Sequence, residues 1–128
     1  MSIETATRAM LTAGITSITD ARITHGYRLQ DSALPAVTFE IQSIETISLG
    51  AAATRSASVE IRAIAETTLE ALDLIDEIRA ASVAGTWDSY DFDAVLWQNH
   101  TIDPPSASDG DEAQPVEAVA TINIYYRE

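Results

Sequence analysis

Residues 57–63, Ala-Ser-Val-Glu-Ile-Arg-Ala, decide the fold, because small or aliphatic residues alternate there with polar ones. Alternation with a period of two is typical of a strand that is buried on one face. Shortly afterwards, Thr67-Thr68-Leu69-Glu70 has the form of a capping box, with Thr67 as the helix cap. The chain therefore passes from a strand directly into a helix, which we predict to run to about Ala81 and to be closed by Gly85.

The helix predicted after Thr67 has two different faces. Its inner stripe is predicted to consist of aliphatic residues at helical spacing, namely Leu69, Leu72, Ile75 and Ile78, widened by Ala71 and Leu74. Its outer ridge is acidic and consists of Glu66, Glu70, Asp73 and Glu77. For any one of these carboxylates, a solvated helix face is the ordinary interpretation.

Alternation recurs on both sides of this strand–helix unit. Before it, Leu34-Pro35 introduces Val37, Phe39 and Ile41, which point to the opposite side from Thr38, Glu40 and Gln42. After it, residues 92–102 are typical of a strand, residues 103–115 of a loop, and the alternating segment 117–126 of a final strand. We expect the segments around residues 37–42 and 57–63 to form an antiparallel hairpin with a long tip.

The N-terminal part supplies a second helix. Residues 3–13 are amphipathic, with Ser2 as the expected cap and Gly14 as the expected end, and the inner face consists of Ile3, Ala6, Met10 and Ala13. Residues 22–28 are weakly strand-like. The order of elements predicts one α+β domain over residues 1–128, with a mostly antiparallel four- to five-stranded sheet and two helices packed on one face.

The chain is strongly acidic. It contains 20 acidic residues, seven arginines and no lysine, which gives a net charge of -13. Such a surface repels nucleic acid and anionic membranes, although DNA could slide past it without being bound. No apolar run is long enough to span a membrane, and the start Met1-Ser2-Ile3-Glu4 does not have the form of a signal peptide.

No set of residues has a spacing that predicts a catalytic, metal-binding or phosphate-binding site. His25 and His100 are not spaced as a metal pair, and Asp91 with Asp93 offers too few oxygen ligands for a divalent cation. The segment 109–112 lacks the length of a calcium loop, and no glycine-rich phosphate cradle or nucleophile elbow occurs. We therefore predict no catalytic residue, no metal, no cofactor and no enzymatic activity.

Several features in order resemble the tail terminator, or tail-completion, proteins of long-tailed bacteriophages, which also occur in phage-like gene transfer agents. These are the N-terminal helix followed by Arg22-Ile23, the Leu-Pro entry at 33–39, the strand 55–65 leading into an acidic-faced helix, and the terminal Ile124-Tyr125-Tyr126-Arg127-Glu128. The resemblance covers nearly the whole chain. The loop at 103–115 departs from it by being longer and more acidic.

The resemblance implies a structural virion protein that forms a hexameric ring on the tail tube. Such a ring ends tube polymerisation and joins the tail to the head connector, and DNA passes through it without specific binding. The implied partners are other copies of the chain, the tail tube protein and the connector or stopper protein. The implied location is the virion tail, assembled in the host cytoplasm, with no membrane partner.

Two other functions remain open on sequence grounds. One is a different ring component of the neck, such as a head–tail joining protein, which would bind the portal side. The other is a small ferredoxin-like domain that binds a ligand, which would require a concave apolar pocket with converging polar groups.

Two sets of residues are candidates for the contacts that a ring requires. Residues 47–54 are small or apolar, and we expect them to pack on a neighbouring subunit; the full interface set is Ile47, Leu49, Gly50, Ala52, Thr54, Trp87 and Tyr125. Trp87 and its aromatic neighbours are equally well interpreted as core packing. The set expected to face the lumen is acidic: Glu66, Glu70, Asp73, Glu77, Asp109, Asp111 and Glu112.

Overall fold

The computed structural model describes residues 2–18, 22–26, 34–47, 54–83, 87, 92–103 and 115–127. In chain order, the elements are α1 (Ile3–Gly14), β1 (Ile23–His25), β2 (Ala36–Thr46), β3 (Thr54–Ala65), α2 (Thr68–Val83), β4 (Phe92–Asp103) and β5 (Val116–Arg127). This is the order of helices and strands that the hydrophobic pattern predicts.

The five strands form one sheet in the order β1-β2-β3-β5-β4. The pairs β2–β3, β3–β5 and β5–β4 are antiparallel, which confirms the predicted α+β fold with a mostly antiparallel sheet. The short strand β1 pairs with β2 in parallel, through Ile23 and Val37 at its start and His25 and Phe39 at its end. The sequence did not predict this parallel pair, because three residues show no readable alternation.

The predicted inner faces of the central strands are buried. On β3, Ala57, Val59, Ile61 and Ala63 are fully buried, and on β5 the residues Ala118, Ala120, Ile122 and Ile124 are fully buried. These residues form one hydrophobic core with the inner faces of both helices. The other side of the sheet carries mainly the polar residues of the alternation, although Ala36, Thr38 and Ile64 on that side are buried. The two helices pack on the apolar side.

Helix α1 begins as predicted, because the Ser2 hydroxyl accepts a hydrogen bond from the backbone N–H of Thr5 at 3.2 Å. Its buried face differs from the predicted one at three residues. Ala13 is exposed, whereas Leu11 and Thr7 are buried. Successive residues turn by about 100° around a helix, so a stripe that passes through Ile3, Thr7 and Leu11 leaves Ala13 outside it.

Helix α2 is also capped as predicted, since the Thr67 hydroxyl accepts from the N–H of Glu70 at 3.2 Å. The predicted inner stripe is wrong at Leu69, whose side chain is 70% exposed, and Leu72 is only half-buried. A row at intervals of three residues drifts around a helix of about 3.6 residues per turn. The buried stripe instead follows Ala71, Leu74, Ile75, Ile78, Ala81 and Ser82.

The two helices make a close contact at Gly14. Helix α1 ends at Gly14 as predicted, with Gly14 as its last residue, and the N–H of Ile15 closes the last turn on the carbonyl of Leu11 at 2.8 Å. A Cβ atom at residue 14 would overlap the Cβ of Ala81 and would lie 3.0 Å from its Cα. Gly14 is therefore needed for the distance at which α1 and α2 pack.

We expect Gly14→Ala to lower the free energy of unfolding by about 1–3 kcal/mol, because overpacking at Ala81 outweighs the gain in helix propensity. Urea denaturation monitored by circular dichroism measures the effect. In the Gly14→Ala/Ala81→Gly double variant one of the two overlapping methyl groups is gone, and part of the loss should return. Equal stability of Gly14→Ala and the parent would contradict the proposed close packing.

Candidate functional site

The predicted interface segment lies at the distal end of the β2–β3 hairpin. The backbone N–H of Ile47 donates to the carbonyl of Thr54 at 2.9 Å, one step beyond the last register pair, Thr46 with Arg55. Ile47 is exposed and Thr54 is half-buried. Leu49, Gly50 and Ala52 of the interface prediction lie outside the described residues, so only the base of the tip can be placed.

Tyr125 and Trp87, the other two predicted interface residues, lie on different sides of the sheet. Tyr125 points to the polar side of β5, where it is half-buried and stands opposite Ser56 of β3 and Ala94 of β4. Trp87 packs against the core, and its indole N–H is buried without a hydrogen-bond partner among the described residues. Tyr125 thus belongs to the same end of the sheet as the hairpin tip, whereas Trp87 contributes to the core.

The predicted acidic ridge is only partly a free surface. Glu66, just before α2, and Glu70 and Asp73 on the helix are exposed. The carboxylate of Glu77 instead accepts hydrogen bonds from the backbone N–H and the hydroxyl of Thr16, each at 3.4 Å, and from the hydroxyl of Ser17. Glu77 therefore connects α2 to the segment that follows α1. Asp109, Asp111 and Glu112 lie outside the described part of the chain.

A second acidic surface, which the sequence analysis did not identify, lies on the polar side of the sheet. We call it the open face and define it by outward residues of β2, β3, β5 and β4, namely Glu40, Ser43, Glu45, Ser56, Ser58, Glu60, Arg62, Glu117, Thr121, Asn123, Tyr125 and Leu96. Glu40 and Glu60 stand directly opposite each other in the β2–β3 register. Like charges in this position repel each other, so the open face requires compensation.

Arg62 provides that compensation. Its guanidinium contacts the Glu60 carboxylate at 2.7 Å through Nη2 and the Glu117 carboxylate at 2.9 Å through Nη1. Burial alone would lower the pKa of Arg62, but the two carboxylates outweigh burial and raise it. Because all three side chains remain partly exposed, solvent screens these pairs, and their main effect is to fix the side chains in place.

The register divides the open face into two halves. Toward the hairpin tip, Ser43, Ser58, Asn123 and Leu96 form one row across the four long strands, and Glu45, Ser56, Tyr125 and Ala94 form the next. Away from the tip lie Glu40, Glu60, Arg62 and Glu117. Cross-strand neighbours depend on register, so the alternation alone could show which residues face outward but not that these four lie together.

The titratable residues do not converge on a reaction centre in the described structure. His25 on β1 and His100 on β4 lie on opposite edges of the sheet, where their rings contact Phe39 and Trp97, with ring centroids 5.1 Å and 6.0 Å apart. Among the described residues, no group of three or more histidine and carboxylate side chains is placed to hold a metal ion. None of the described helices is long and apolar enough to cross a membrane.

Comparison with known proteins finds no family model that matches this chain and no curated protein with significant similarity.

Proposed function

We propose that the chain is a structural subunit of a tail in a long-tailed phage or a related gene transfer agent. Several copies close into a ring, with six expected, that caps the tail tube, ends its polymerisation and presents a docking face to the head connector. The observation that carries the proposal is the distribution of exposed apolar side chains. Ile44, Ile47 and Leu96 are exposed on or beside the long strands of the sheet, where a subunit of a ring would bury them against a neighbour.

The partners follow from this role. They are further copies of the chain, the tail tube protein and the connector or stopper protein, and the assembled ring belongs to the virion tail after assembly in the host cytoplasm. The net charge of -13 suits a ring through which DNA moves without being held, because carboxylates repel passing phosphates.

Two acidic surfaces are available to line such a passage. The exposed residues of the α2 ridge point away from the sheet, whereas the acidic half of the open face lies on the opposite side of the molecule. A subunit in a ring turns only one side to the lumen, so these two surfaces have different roles in the assembly.

Growth of tail tubes in the presence of the protein tests this function. Purified tube protein from the same particle is allowed to polymerise, and light scattering follows the increase in tube mass. Substoichiometric amounts of this chain should stop growth at a mass that falls as the ratio of chain to tube protein rises. The heat-denatured protein serves as a control for non-specific binding, and unchanged growth with the folded protein would overturn the proposal.

A further inference from the structure

Among the described residues, each edge of the sheet exposes part of a long strand that has no neighbouring strand on its outer side. The outer edge of β4 has no partner strand among the described residues. On β2, strand β1 pairs only with Val37, Thr38 and Phe39, and the last bond on that side joins the N–H of Gly26 to the carbonyl of Phe39 at 2.7 Å. Residues 40–46 therefore have no described partner on that side. Unpaired strand edges present rows of N–H and C=O groups that another strand can pair with.

The directions of the strands make the two edges complementary. Strands β2 and β5 run one way and β3 and β4 the other, because each neighbouring pair of the four is antiparallel. If a second copy lies beside the first with its sheet in the same orientation, its β2 runs antiparallel to the first copy's β4. This contact is head-to-tail, so every copy uses one edge of each kind, as a closed ring requires.

Exposed apolar side chains are concentrated at these same two edges. Six large hydrophobic residues of the described chain are exposed, and four of them lie on or directly after β2 and β4: Ile44 (43%), Ile47 (49%), Leu96 (52%) and Ile102 (38%). In a sheet, a neighbouring strand covers side chains of this kind through cross-strand contacts. The edges thus offer apolar area as well as backbone groups to a neighbour.

The charge pattern and shape of β4 suit the same contact. Residues 94–102 contain no aspartate or glutamate, although the chain has 20 acidic residues. They can therefore approach the Glu45-bearing part of β2 without placing like charges opposite each other. Strand β4 has register irregularities at Phe92/Ala94 and Trp97/Asn99. Bulges of this kind bend a strand and let a sheet curve toward closure.

From these four observations we infer that β4 of one copy pairs antiparallel with residues 40–46 of β2 in the next copy, so that the sheet continues around the ring. This inference rests on the proposed function, since it specifies how the ring closes. The layer of two helices needs more room than the bare sheet and takes the outer circumference. The open face then faces the lumen, with Glu40, Glu60 and Glu117 along the passage in place of the α2 ridge.

Cross-linking tests the contact directly, because the chain has no cysteine of its own. Ser43→Cys and Leu96→Cys place thiols on the open face of β2 and β4, respectively. The two single variants are mixed with tube protein and treated with a short bismaleimide. We expect linked dimers in the mixture and few with either variant alone. In the control experiment, Leu69→Cys, on the exposed start of α2, is mixed with Ser43→Cys in place of Leu96→Cys. No linked dimers are expected from this mixture.

A charge substitution provides the second measurement. Leu96→Glu should reduce the fraction of capped tubes at least about tenfold, because it removes an apolar side chain from every contact and places a carboxylate beside the glutamate-bearing part of β2 in the neighbouring copy. Leu69→Glu, at a more exposed leucine at the start of α2 rather than on a strand, should cap tubes like the parent. Circular dichroism should show both variants folded, since each replaced side chain is largely exposed in the subunit.

The outcomes separate the two proposals. Capped tubes without the Ser43–Leu96 link, together with normal capping by Leu96→Glu, would overturn the strand pairing while the proposed function stands. Failure of the parent protein to form rings or to cap tubes would overturn both. The selective link together with loss of capping in Leu96→Glu would support the continuous sheet.

Discussion

Replacement of residues 48–53 by Asn-Gly is expected to abolish ring formation and tube capping while the subunit stays folded. The segment carries most of the predicted interface tip, including Leu49, Gly50 and Ala52. The replacement fits the described hairpin, because the Ile47 N–H bonds to the Thr54 carbonyl at 2.9 Å and Asn-Gly closes a two-residue turn between such paired positions. Strands β2 and β3 keep their full register from Ala36↔Ile64 to Thr46↔Arg55.

Two measurements on this variant separate folding from assembly. Its circular dichroism spectrum and urea midpoint should match those of the parent, and light scattering with tube protein should show growth as if the variant had not been added. A folded variant that caps tubes as efficiently as the parent would show that the tip is not part of the contact between subunits.

Phe39→Ala is expected to lower the free energy of unfolding by about 3–5 kcal/mol. Phe39 is 1% exposed in the middle of the sheet, where it stands opposite His25 of β1 and Ile61 of β3. Removal of its ring leaves a cavity under β2 and removes the ring contact with His25 of β1. Because domains of this size are stable by about 5–15 kcal/mol, this one change removes a large share of the stability.

Urea denaturation of the Phe39→Ala variant, compared with that of the Glu40→Ala variant, provides the measurement. Glu40 is the next residue along β2 but is exposed on the open face, so its substitution should change stability by no more than about 0.5 kcal/mol. A loss below about 1 kcal/mol for Phe39→Ala would contradict its position in the core.

The strands could be predicted from the sequence because burial on one face imposes an alternation that is visible residue by residue. Ala57, Val59, Ile61 and Ala63 on β3 are all buried as predicted. The predicted buried faces of the helices were wrong at Ala13 and Leu69, because a row of residues at intervals of three and a row at intervals of four diverge after two turns. Capping was predictable at Ser2 and Thr67, since a cap depends only on local residues.

The surfaces were harder to predict because they depend on which strands become neighbours. Nothing in the sequence indicates that Glu40 and Glu60 are cross-strand partners or that Arg62 bonds to Glu117, which is 55 residues away along the chain. The contact of Glu77 with Thr16 and Ser17 likewise depends on how the helices cross. The strand order leaves the outer edges of β2 and β4 without described partners, and alternation alone does not determine that order.

The length distribution of tail tubes in negative-stain micrographs tests the central claim most directly. Tube protein polymerised with increasing amounts of this chain should give tubes that become shorter and bear a ring at one end. Tubes of the same length with and without the chain, and with bare ends, would contradict the account.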